Sequence, residues 1–176
     1  DRAVEELILK SGAIPSFKGY KGLAGAIDYP ASICASVNNE VVHGIPGLNE
    51  LKDGDIISID IGAYLDGFHG DAARTYAVGN VSESAQRLIR ITRESFYKGI
   101  KNAVSGKRII DVSAAVQDFV EENGYSVVRE YVGHGIGREM HEPPQIPNYR
   151  TRERGPRLQP GMTLAIEPMV NEGNCN

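Results

Sequence analysis

Sulfur is scarce in this chain: its 176 residues include 2 cysteines, Cys34 and Cys175, too few for a disulfide framework or a thiolate metal cage. A reducing cytosol is the compartment such a composition suits. No apolar run approaches the roughly 20 residues that a membrane span needs, and no charged-then-apolar leader opens the sequence. The formal charge of -4 gives no electrostatic case for nucleic acid or an anionic membrane surface as a partner. His-Glu-x-x-His, Gly-x-Ser-x-Gly and phosphate-loop motifs are all missing, so serine hydrolysis and helix-borne zinc lack support. Caps are missing as well. The opening helical pattern over Arg2 to Lys10 (Ala3, Leu7, Ile8) starts without an N-cap, and the sequence stops just after a strand, which reads as a chain cut at both ends. The length suits one domain, 1–176, with one core.

Glycine is plentiful, with 20 residues that gather around histidines instead of forming a linker. Two stretches also repeat one pattern. His43-Gly44-Ile45 leads to Leu51-Lys52-Asp53-Gly54 and an apolar strand ending at Asp60; His134-Gly135-Ile136 leads to Leu158-Gln159-Pro160-Gly161 and an apolar strand ending at Glu167. An acid inside an apolar strand is unfavourable unless something pairs with it. Two related halves converging on a shared cation is the simplest arrangement that satisfies both.

Local patterns place the elements. Ser32 to Val37 reads as a strand, Asn38-Asn39 as a turn, and Asp55 onward alternates, with Ile57, Ile59 and Ile61 opposite Ile56, Ser58 and Asp60. Asp66-Gly67 is a hairpin turn, and Phe68 to Val78 returns. Ser82 caps a helix with an inner face of Ala85, Leu88, Ile89, Thr92, Phe96, Ile100 and Ala103, closed by Gly106. Asp111 caps a second, with Val112, Ala115, Val116, Phe119 and Val120 inward and Gly124 at its end. Tyr125 to Val132 is a strand, His141 to Pro160 a long exposed loop, and Met162 to Val170 the last strand. Hairpins and paired helices indicate an α+β domain with a largely antiparallel sheet and approximate two-fold symmetry.

In a hairpin with a two- or four-residue loop, Asp60 and Asp71 share a face, opposite or diagonal, about 5 to 8 Å apart. Like charges that close favour a bound divalent cation. His134 sits in Gly133-His134-Gly135-Ile136-Gly137, whose spacing is not the Gly-x-Gly-x-x-Gly of a dinucleotide site. His69, two residues before Asp71, suits a structural hydrogen bond.

The blocks Val41-Val42-His43-Gly44-Ile45-Pro46, Asp60 with Asp66-Gly67-Phe68-His69-Gly70-Asp71, Gly133-His134-Gly135-Ile136-Gly137 with His141-Glu142, and Ile166-Glu167-Pro168-Met169 resemble type I methionine aminopeptidases. The resemblance runs from about Arg2 to Glu172. It implies a pseudo-two-fold pita-bread (creatinase/aminopeptidase-like) fold, with a curved sheet and helices packed outside. It implies two divalent metal ions (Co, Mn, Fe or Zn) held by Asp60, Asp71, His134 and Glu167, Asp71 bridging, and removal of N-terminal methionine from peptides and nascent chains. Glu167 would also relay the proton, His141 would hydrogen-bond the carbonyl oxygen of the substrate, and His43 would contact its amide nitrogen. Tyr20, Cys34, Met140 and Phe17 would line the methionine pocket. Leu23 to Asp28 looks like an insertion relative to that family. The implied setting is a cytoplasmic monomer with transient ribosome association, no specific nucleic acid and no membrane. A further bridging glutamate on a Ser-Ala-Gln-x-Glu-His-Thr-like strand, and the family's first helix, are not found in the sequence. Its rivals are a proline-specific peptidase of the same fold and a non-catalytic pita-bread binding protein. The short span from His141 to Glu167 leaves no room for the type II insertion.

Overall fold

The computed structural model describes residues 1–21 and 27–174. The insertion read over 23–28 falls mostly on residues 22–26, and Cys175 likewise lies outside the described residues. The chain divides into two compact units, Asp1–Ser82 with Gly137–Met140, and Glu83–Ile136 with His141–Asn176.

The first unit opens with α1 (Arg2–Lys10), whose buried residue is Ile8. The inward face expected from Ala3 and Leu7 is rotated: Leu7 is 65% exposed, and Val4 and Glu5 are the residues half-buried alongside buried Ile8. Asp1 occupies the N-cap position without capping. Its carboxylate instead accepts the Ser32 and Ile33 amides at 2.8 and 3.2 Å, tying the helix start to the sheet.

That sheet comprises β1 (Ile14–Pro15), β2 (Ile33–Val37), β3 (Ile56–Leu65) and β4 (Phe68–Ala77), all antiparallel, with β3 paired to each of the others. The Asp66-Gly67 turn joins Leu65 directly to its partner Phe68. Both turn residues have positive φ, 50° and 89°, the type I′ geometry that matches strand twist.

In the second unit α2 (Glu83–Ile100) packs on α3 (Ile109–Glu122). The fully buried stripe of α2 is Ile91, Ser95 and Gly99, and the expected apolar residues flank it; Ala103 lies past the helix end. Two non-apolar members hid that stripe. A Cβ on Gly99 would stand 2.8 Å from Val116 Cγ2, so the glycine lets the helices approach, while Ser95 Oγ donates to Thr92 O at 2.7 Å. Asp111 is not the cap of α3. The helix starts two residues earlier, and the Asp111 carboxylate reaches back to accept the Arg108 amide at 2.7 Å.

The strands of this unit are short. β5 (Ser126–Val127) pairs β9 (Val170–Asn171), and β6 (Gly133–Gly135) lies between β7 (Glu142–Ile146) and β8 (Leu164–Ala165). Three expectations change. The Tyr125–Val132 strand contracts to β5. The Met162–Val170 strand splits into β8 and β9. The proline-rich loop begins with β7, since an edge strand tolerates Pro143 and Pro144 where a central one would not. Ile146 is packed with Ile109, Val112 and Leu158, and a second cluster joins Ile91, Val116, Val120, Tyr125 and Val127.

Candidate functional site

On the first unit, the ladder sets Asp60 opposite Ala73 and Asp71 opposite Gly62. Opposed residues share a face, and so do residues two apart, so the carboxylates project from one face at diagonal corners of a four-residue block. The remaining corners are the small residues Gly62 and Ala73. Cys34, opposite Asp60 on β2, joins this face. Burial pushes its thiol up to about 11; a hydrogen bond with Tyr29 opposes that, while the Asp60 and Asp71 charges add to it. At neutral pH Cys34 is therefore a protonated, apolar lining group and not a thiolate.

Phe17 also reaches this face, since a Cβ on Gly62 would stand 2.5 Å from its ring. Its neighbour Ser16 donates its amide to Gly62 O at 2.9 Å, and its hydroxyl lies 2.8 Å from His69 Nδ1. That contact with Ser16 is the structural hydrogen bond the sequence suggested for His69, whose ring also packs on Tyr64 with centroids 4.7 Å apart. Met140 is buried, whereas Tyr20 is 43% exposed.

His43 is exposed, with a φ of 61° that non-glycine residues seldom adopt. The next residue explains the constraint. A Cβ on Gly44 would lie 2.4 Å from Ala35 O, and Ala35 N donates to Gly44 O at 2.8 Å, so the loop runs flush along β2. The Tyr29 hydroxyl, its pKa raised chiefly by burial, reaches the Ile33 and Gly44 carbonyls at 3.0 Å each. This clamp was not visible in the sequence.

On the second unit, β6 carries His134 between two glycines that must be glycines. A Cβ on Gly133 would sit 2.3 Å from Ala165 O and one on Gly135 2.4 Å from Pro143 O. The run thus serves close strand approach, consistent with rejecting a dinucleotide site. Buried His134 has Nδ1 2.8 Å from Gly135 O and Nε2 3.2 Å from Glu167 Oε1, and the His141 ring stands 4.3 Å from its own, centroid to centroid. His134, His141 and Glu167 therefore form one cluster.

A carbonyl only accepts, so Nδ1 of His134 carries a hydrogen. In the neutral ring, the form in which histidine ligates a metal, the Nε2 lone pair then faces a carboxylate oxygen, and two acceptors meet. Glu167 Oε1 is buried and makes no hydrogen bond. A cation between the pair resolves the conflict: donors about 2.1 Å from one ion, at octahedral to tetrahedral angles, stand about 3.0 to 3.4 Å apart. The observed 3.2 Å separation falls in that window, so the donor set fits a metal. A separate cleft of about 450 Å³, lined by Arg87, Tyr125 and Glu172 among others, contains none of these residues.

The sequence pattern of metallopeptidase family M24 matches residues 2–174. The chain belongs to this family. Within it, the methionine aminopeptidase of Clostridium perfringens is 60% identical over 174 residues, 99% of this chain and 68% of that protein. Methionine aminopeptidase 1 of Bacillus subtilis is 59% identical, with 99% and 68% covered. The chain thus spans about two thirds of the length of these relatives. The crystal structure of methionine aminopeptidase from Thermotoga maritima superposes with a TM-score of 0.93 at 50% identity, covering 99% of this chain and 68% of that one. A prolidase from Pyrococcus furiosus gives 0.67 at 27% identity, covering 77% and 40%. The fold is α+β and of the family's pita-bread type.

Proposed function

We propose that this protein removes the N-terminal methionine from peptides and nascent chains by metal-dependent hydrolysis, with 1–176 acting as one catalytic domain. The carrying observation is the pair His134 Nε2 and Glu167 Oε1, 3.2 Å apart and with Oε1 buried without a hydrogen bond, on a member of a metallopeptidase family. Relatives named methionine aminopeptidase at 46% to 60% identity support the substrate.

Asp60, Asp71, His134 and Glu167 would hold two divalent ions drawn from Co, Mn, Fe and Zn, for all of which oxygen and imidazole donors are suitable. When bound, the ions supply Lewis acidity toward the scissile carbonyl and toward water. The chain's own groups do the rest. Glu167 takes the proton from the attacking water and passes it to the departing amine. His141, beside His134, donates a hydrogen bond to the carbonyl oxygen as negative charge develops there. His43 contacts the amide nitrogen of the substrate. Phe17, Cys34, Met140 and Tyr20 receive the methionine side chain, and the protonated Cys34 thiol suits an apolar thioether. The expected setting is a cytoplasmic monomer that meets nascent chains with at most transient ribosome contact.

The test is release of methionine from a Met-Gly-type peptide with added Mn or Co. Release that stops on chelation is the expected result. No release under any of these ions would overturn the reading, and preferential cleavage of an Xaa-Pro dipeptide would replace it with the proline-specific alternative.

A further inference from the structure

Asn148 was not singled out by the sequence, because it lies in the proline-rich stretch read as an exposed loop. It is 1% exposed. β7 ends at Ile146 and delivers it inward, where Nδ2 donates to the main-chain carbonyl of Glu167 at 2.7 Å. Its other half is unsatisfied: Oδ1 is buried with no hydrogen-bond partner. Leaving that oxygen buried and unpaired costs stability, so the arrangement rests on the one bond the amide does make. Only the amino group can donate to a carbonyl, so the bond to Glu167 alone fixes how the amide lies.

Glu167 itself stands where the sheet lets go. β8 stops at Ala165 and β9 starts at Val170, so Glu167 belongs to neither ladder. Its carboxylate must nevertheless present Oε1 to His134 Nε2. A side chain aimed from unladdered backbone keeps its direction only if that backbone is held by something else, and Asn148 supplies such a hold. We propose that Asn148 is a positioning residue of the metal centre: it fixes the main chain at Glu167 and through it the aim of the carboxylate. This rests on the metal-centre reading given above.

The test compares the full chain with Asn148→Leu, Asn148→Val and Asn148→His. Manganese affinity is measured by calorimetry on folded protein, alongside melting temperature, kcat and KM. Asn148→Leu removes the donor at similar volume and is expected to weaken manganese binding about tenfold, the low end for losing a group that orients a ligand. kcat should fall and the KM for a Met-Gly-type peptide should hold. The melting temperature should change little, because one orphan acceptor is exchanged for another. Asn148→Val, also without a donor, should lose affinity similarly and carries the measurement if the leucine variant does not fold. Asn148→His keeps a ring N–H and should recover most of the loss. Unchanged manganese affinity in the leucine and valine variants would overturn the inference, as would a loss that histidine does not repair. Wild-type protein that binds no manganese would overturn the metal-centre reading beneath it, which is a different result.

Discussion

Acids are mounted in opposite ways on the two units. Asp60 and Asp71 stand in the middle of a ladder whose strands are 10 residues each, so register and side-chain alternation alone decide which face they share. Glu167 stands in a gap between two strands of 2 residues each, and its placement depends on glycine contacts and a buried amide. Regular backbone carries a carboxylate by periodicity; interrupted backbone must be held by particular atoms. The first device tolerates change around it, and the second does not.

The largest effect should come from removing an acid on either mount. Asp71→Asn and Glu167→Gln are each expected to lower kcat/KM by at least about 100-fold, beyond what losing an orienting group does. Far-UV circular dichroism should stay at the wild-type level. Wild-type turnover in either variant would remove that acid from the centre.

Glycine substitutions sharpen the contrast. At Gly133 an added Cβ meets Ala165 O at 2.3 Å, while at Gly70, beside Asp71, the nearest atom is Ala63 O at 4.0 Å. Gly133→Ala should cost about 2 to 3 kcal/mol and lower the melting temperature by roughly 5 to 10 °C. Gly70→Ala should stay within about 2 °C. Equal thermal shifts would mean that the two mounts do not differ in this way.

Gly62→Ala lies between these in its kind of effect. The new methyl would displace the Phe17 ring, which sits 2.5 Å from that Cβ position. KM for a methionyl peptide should rise about three- to tenfold with kcat within about twofold, equivalent to roughly 1 kcal/mol of lost pocket contact. A kcat defect at constant KM would place Phe17 outside the methionine pocket.

The smallest effect concerns Cys34. With its thiol pushed up to about 11, alkylation near pH 8 in a Cys175→Ser background should run at least about tenfold slower than in urea. The linkage has a definite sign. The folded protein keeps the proton that the unfolded chain gives up near the usual thiol range, so the stability contribution is intact below that range. It is lost as pH rises toward about 11. Equal alkylation rates in folded and unfolded protein would contradict the assignment.

The same contrast explains what the sequence made legible. Asp-Gly between alternating segments was enough to place Asp60 and Asp71 on one face, because a two-residue turn and a period of two leave few registers. The His-Gly-Ile repeat marked His134, and Glu167 by equivalence. Asn148 escaped because proline and arginine around it signal a loop, whereas its burial comes from Ile146 packing on Ile109 and Val112. The stripe of α2 escaped for a related reason: Ser95 and Gly99 are inward because of what they allow a neighbour to do, and hydrophobicity does not record that. Asp111 looked like a cap because its chemistry is that of a cap; whether it sits before the helix or a turn inside it depends on which amide it reaches.

The Asp66-Gly67 turn has a consequence for the descent of this chain. Strand faces alternate, so parity governs what the hairpin can absorb: while the turn keeps two residues, one residue gained or lost in either strand between Asp60 and Asp71 would carry one acid through to the opposite side of the sheet. Changes in pairs would keep both on the same side. Lineages that retain the two acids and the two-residue turn should therefore vary the strands between them in even steps, or leave them alone.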